Sequence, residues 1–138
     1  MQKTYTDVRN FLNEYAFAKA RASALCSEIA AIWGILHQTE DVAALTGDDS
    51  NIPFLTERIN RLDQQLLQAV EEITSRGELV LSIITSLEDP EIECVFEQRY
   101  LNNMKLEAIA IDMGCSLSKV KYLHREGLRQ LKEYLDEG

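Results

Sequence analysis

Apolar residues recur along the first third of the chain in alternating steps of three and four: Val8, Phe11, Tyr15, Ala18, Ala22, Leu25, Ile29, Ile32 and Leu36. A mean step of about 3.5 residues keeps one stripe of an α-helix apolar, the pattern of a coiled-coil seam. It predicts a long helix over residues 7–37, capped by Thr6 or Asp7. A second series predicts another helix over residues 54–87: Leu55, Ile59, Leu62, Leu66, Ala69, Ile73, Val80, Ile83 and Leu87. Residues 38–53 between them read as a loop. Gly47-Asp-Asp-Ser-Asn51 is turn composition, and Pro53 suits the first turn of a helix. Arg76 interrupts the second seam and Gly77 follows it, so a kink or break is expected there. Two long seams joined by one loop imply an antiparallel, coiled-coil-like helical hairpin over residues 1–88. Phe17, Ala24, Ala31 and Trp33 widen its apolar surface, so self-association is expected, a homodimer ahead of higher oligomers.

The pattern changes at Asp89-Pro90. An Asp N-cap, a proline at the first helical position and Glu91 and Glu93 in the first turn mark a new helix. Ile92, Val95, Phe96, Tyr100 and Leu101 form its apolar face. Asn102-Asn103 ends it, because Asn tolerates the left-handed conformation, and Asn103 is the expected cap of the next helix. Leu106, Ile109 and Met113 then share a face, while small Ala110 admits a closely crossing neighbour. Gly114 supplies a residue able to take positive φ, Cys115 suits a buried corner, and Ser116 is a good N-cap. Val120, Leu123, Leu128, Leu131 and Leu135 give the last helix its apolar stripe. Residues 89–138 therefore predict a trihelical head containing a helix-turn-helix, and the whole chain is expected to be all-α.

The outer face of the last helix carries Ser118, Lys121, Tyr122, Arg125 and Arg129, at offsets of three, four, seven and eleven. Positive charge and hydrogen-bonding tips on one helical stripe are what reading a DNA major groove requires. Ser118, Lys121 and Tyr122 are the candidates for base edges; Ser116, Lys119, Arg125 and Arg129 are those for phosphates. His124 is either a further phosphate contact or a helix-packing histidine.

A formal net charge of −9 at first opposes a nucleic-acid partner. Its distribution removes the objection. Residues 1–89 hold 7 basic and 14 acidic side chains, whereas residues 114–132 hold five basic residues against the single acid Glu126. Screening limits phosphate attraction to roughly 8–10 Å, so a basic face can work on an acidic protein. The acidic remainder points to another role for the N-terminal part.

Other classes fare worse. No apolar run is long enough to span a bilayer, and the N-terminus lacks a signal-peptide pattern, so a cytoplasmic protein with no membrane partner is expected. Cys26, Cys94 and Cys115 are isolated and odd in number, which reads as reduced core cysteines. Asp48-Asp49 lacks the spacing and closing Glu of a calcium loop. No catalytic constellation, phosphate loop or metal spacing is present, and His37 and His124 lie in separate segments. Neither an enzyme, a metal nor a cofactor is expected.

The segments Asp89-Pro-Glu-Ile-Glu-Cys-Val-Phe-Glu-Gln-Arg-Tyr-Leu101, Leu106-Glu-Ala-Ile-Ala110, Met113-Gly-Cys-Ser116, Val120-Lys121 and Gly127-Leu-Arg-Gln-Leu131 resemble region four of sigma-70-type transcription factors. That resemblance covers the last third of the chain and implies a head that reads promoter DNA through its final helix. A long coiled-coil-like segment before such a head is similar to the layout of small phage transcriptional regulators of the ArpU/RinA type. The chain departs from region four at Lys105, where Ser or Thr is usual, and at Leu117-Ser118, where Arg and Glu are typical. It also lacks promoter-melting regions. The expected function is therefore sequence-specific double-stranded DNA binding in transcription regulation. The alternatives are a module docking on RNA polymerase and a small-terminase-like DNA-packaging adaptor.

Overall fold

The computed structural model describes residues 5–137. They form a long helix pair, α1 (Tyr5–Thr46) and α2 (Ile52–Thr85), followed by α3 (Pro90–Phe96), α4 (Leu106–Met113) and α5 (Leu117–Glu137). A π-helical turn, Glu97–Leu101, prolongs α3, and no strand occurs among the described residues. The described residues are all-helical in class, and no helix among them is long and apolar enough to cross a membrane.

The first helix outruns its seam at both ends. It is already helical at Tyr5, so Thr6 and Asp7 lie inside it and do not cap it, while residues 1–4 lie outside the described part. At the other end the loop expected over residues 38–53 shrinks to residues 47–51. Gln38–Thr46 contains no glycine or proline, and Ala43, Ala44 and Leu45 are strong helix formers. The Thr39 and Thr46 hydroxyls donate to the carbonyls of Ile35 and Val42, tying their side chains back along the helix. Gly47, with φ +79°, stops it. The turn composition of residues 47–51 marks the stop, and the loop does not extend N-terminally from it.

The chain separates into two compact units: Ala18–Glu72, and the residues up to Phe17 together with those from Ile73 onward. These units do not divide the chain at residue 88. In the Ala18–Glu72 unit, Leu25, Ile32, Leu36, Ile59 and Leu62 form the buried cluster, all from the two heptad series. Arg58 and Glu28 pair across it at 2.8 Å. Cys26 is exposed, so it is not a core cysteine.

The other unit holds the larger core. Val8, Leu12, Tyr15 and Ala16 of α1 join Val80, Ile83 and Ile84 of α2 and the buried faces of α3, α4 and α5. The break expected at Arg76-Gly77 is absent, and α2 runs through both residues. Arg76 reaches Glu14 at 2.5 Å, so its charge is neutralised at the rim of the core. Gly77 faces the Tyr15 ring, whose hydroxyl would be 3.5 Å from an added β-carbon. The interruption of the seam is met by a partner, and the helix continues through it.

The restart at residue 89 follows local chemistry. Asp89 accepts a hydrogen bond from the Glu91 amide at 2.9 Å, and Pro90 begins α3. The π-turn lets the Asn102 amide reach the Glu97 carbonyl at 3.1 Å and directs Tyr100 into the core. Asn103 takes φ +55°, as expected of a residue ending this helix. It does not cap α4, however: Lys105 occupies that position, with no side-chain hydrogen bond.

Candidate nucleic-acid interface

The outer face of α5 is set by a corner and by what lies beneath it. At the end of α4, Gly114 adopts φ +66° and ψ +36°. Its amide donates to the Ile111 carbonyl at 3.2 Å, and the Cys115 amide donates to Ala110 at 3.0 Å. This Schellman closure satisfies carbonyls that would otherwise be left unpaired. Ser116 then accepts a hydrogen bond from the Lys119 amide at 3.1 Å, which caps α5. Ala110 of α4 and Val120 of α5 are both buried in the core that these two helices share. Cys115 and Cys94 are half-buried free thiols.

Beneath α5 lie Val120, Leu123, Gly127, Leu128 and Leu131. Burying that stripe turns Ser118, Lys121, Tyr122, Arg125 and Arg129 outward, and all five are exposed. Tyr122 is 56% exposed. Arg125 borders two shallow grooves. One, about 430 Å³, is also lined by Leu106, Ser118, Lys121 and His124. The other, about 500 Å³, is lined by Arg9, Tyr122, Glu126, Leu128 and Arg129 as well.

The cations differ in how they are held. Lys119 pairs with Glu91 at 3.0 Å, and that hydrogen bond, with the attraction of the same carboxylate, raises the ammonium pKa. Arg129 forks onto Glu126 and reaches Glu133 at 2.9 Å. Its hydrogen bonds to Glu126 lower that carboxyl's pKa. Lys121 and Arg125 have no ion-pair partner among the described residues. The candidate phosphate set therefore divides. Arg125 projects unneutralised, Lys119 and Arg129 exchange carboxylates for any phosphate, and the Ser116 hydroxyl is engaged as the cap.

His124 is a packing residue. Its ring stacks on Phe96 and Tyr100 at centroid separations of 5.2 and 5.7 Å, and Nε2 and the Tyr100 hydroxyl share a 2.6 Å hydrogen bond. Burial, reinforced by the cationic Arg99 and Arg9, lowers its pKa to about 4. The imidazole is thus neutral near pH 7 and offers no charge to a phosphate. Burial likewise raises the Tyr100 hydroxyl to about 12.

Arg9 was not among the sequence-derived candidates. Nothing in the linear pattern connects the first turns of α1 with α5. The connection follows from Val8 and Leu12, which are buried in the same core as Leu128 and Leu131 and leave Arg9 at its rim.

No family model, curated protein or solved structure matches this chain. What the face can do therefore rests on its chemistry. Two cations unpaired among the described residues, a serine hydroxyl and a tyrosine hydroxyl project from one ridge of α5. Such a ridge suits a polyanion carrying hydrogen-bonding edges. Among the described residues no group of three or more His, Cys, Asp or Glu side chains could hold a metal ion.

Proposed function

We propose that this chain is a sequence-specific double-stranded DNA-binding transcriptional regulator of phage or prophage type, working in the cytoplasm. Residues 89–138 act as a sigma-70 region 4-like helix-turn-helix head, and α5 enters the major groove from Leu117. Ser118, Lys121 and Tyr122 address base edges. Arg125 holds a phosphate, and Lys119, Arg129 and the Ser116 end of the helix flank it.

The observation that carries this reading is the outward ridge Ser118–Lys121–Tyr122–Arg125, with two cations unpaired among the described residues on an otherwise acidic protein. Selection of bound duplexes from random DNA tests the proposal. A recovered consensus supports it, and recovery of unenriched sequence contradicts it.

Residues 1–88 are assigned as an antiparallel hairpin that joins two copies. Phe17, Trp33, Ile35, Val42, Leu45 and Phe54 are exposed apolar side chains that a second copy could cover. The same surface favours a second reading, a module that docks on RNA polymerase or assembles a packaging ring. Light scattering separates the assemblies: a dimer fits the regulator, and a ring of eight or more fits a small-terminase-like adaptor.

A further inference from the structure

We infer that Arg9, on the first turns of α1, is a second-element phosphate contact of the DNA-binding face, so that the N-terminal helix takes part in binding DNA as well as in assembly. The inference rests on the proposed DNA reading and deepens it. Arg9 is exposed and lines the groove beside Tyr122, Arg125 and Arg129. No ion-pair partner holds it among the described residues. Its neighbours Val8 and Leu12 are 2% and 0% exposed, so this turn of α1 is anchored in the core and the arginine is carried on a fixed base. Along that groove Glu126 is the opposing carboxylate, and it is already forked by Arg129. Arg9 from α1 and Arg125 from α5 thus line one groove together with the exposed Tyr122. A duplex lying along α5 brings its backbone across that groove. A guanidinium from a second helix fixes the angle at which α5 lies, which contacts along a single helix cannot do.

The test is a salt series of DNA binding by fluorescence anisotropy, using the full chain and a duplex recovered by selection. Wild type, Arg9→Ala, Arg9→Lys and Lys121→Ala are compared. Arg9→Ala is expected to weaken binding on the order of fivefold and to make the slope of log K against log salt shallower by about 0.9 per head, one released counterion. Arg9→Lys is expected to restore the slope, because a point charge suffices. Base preference stays unchanged, since a phosphate contact carries no sequence information. An unchanged slope in Arg9→Ala, with Lys121→Ala still impaired, overturns the Arg9 contact and leaves the DNA reading standing. A wild-type chain that binds no duplex overturns both. An affinity loss without a slope change marks an effect on folding and also overturns the contact.

Discussion

Gly127 lets α5 press directly onto Phe96. A β-carbon at residue 127 would stand 2.6 Å from Phe96 Cζ and 2.8 Å from Ile92 Cγ2, closer than carbon atoms approach. Both neighbours are fully or nearly fully buried, so neither can swing aside. Gly127→Ala must separate α5 from α3, and overpacking of this kind costs about 1–3 kcal/mol. A lowered melting temperature is expected despite the better helix propensity of alanine. Calorimetry checks it, and an unchanged or raised melting temperature would show that the contact yields freely.

Gly77 should behave in the opposite way. It is also helical, but an added β-carbon would meet the Tyr15 ring only at ordinary contact distance, 3.5 Å and beyond. Gly77→Ala is expected to stabilise the chain by about 0.5–1 kcal/mol, the usual cost of glycine inside a helix. Chemical denaturation measures this directly. A destabilised variant would mean that α2 needs flexibility at this position.

The contrast shows what the sequence made legible. Both heptad series appear as buried or half-buried positions, Ala110 is buried in the core, and the Gly114 and Ser116 signals appear as a left-handed corner and a cap. Those signals are local: each depends on residues within one turn or one helical face. What was not legible depended on partners far along the chain. Arg76 looked like a seam breaker because Glu14 is 62 residues away, and Gly77 looked like a hinge because Tyr15 is equally remote. Arg9 was missed for the same reason, and the pairing of Lys119 with Glu91 was hidden as well. The exposed stripe of α5 could be read because helical periodicity fixes which residues share a face. Whether each of its cations is neutralised could not.

The His124–Tyr100 pair makes stability sensitive to mild acid. The histidine's pKa lies near 4 in the folded chain and near 6.5 when exposed, so between these values the unfolded state binds the extra proton. Its contribution is complete above pH 6.5 and is lost as pH falls towards 4. The shift corresponds to about 3 kcal/mol. Glu97 acts in the opposite direction, because desolvation and the nearby Glu93 raise its pKa. Comparing wild type with His124→Phe cancels that contribution. The wild type is expected to lose more stability than the variant between pH 7 and pH 4, and NMR should place the His124 midpoint near the lower value. An ordinary imidazole midpoint would mean that the ring is solvated.

Gly114→Ala tests the corner that aims α5. With φ at +66°, a β-carbon introduces strain of about 1–2 kcal/mol even though nothing stands within 4 Å of it. Gly114→Asn should recover part of the loss, since Asn tolerates this region better. Equal losses in the two variants would place the cost in packing and not in the backbone.

The most direct measurement is a binding titration of a selected duplex with wild type and with the Lys121→Ala, Arg125→Ala double variant. Both side chains are exposed, so the variant should keep its helical content and melting temperature. Removing one base-edge candidate and one phosphate candidate is expected to weaken binding by roughly 100-fold and to make the salt slope shallower by about 1–2 per head. Unchanged affinity in a folded double variant would contradict the assignment of this helix as the DNA-reading element.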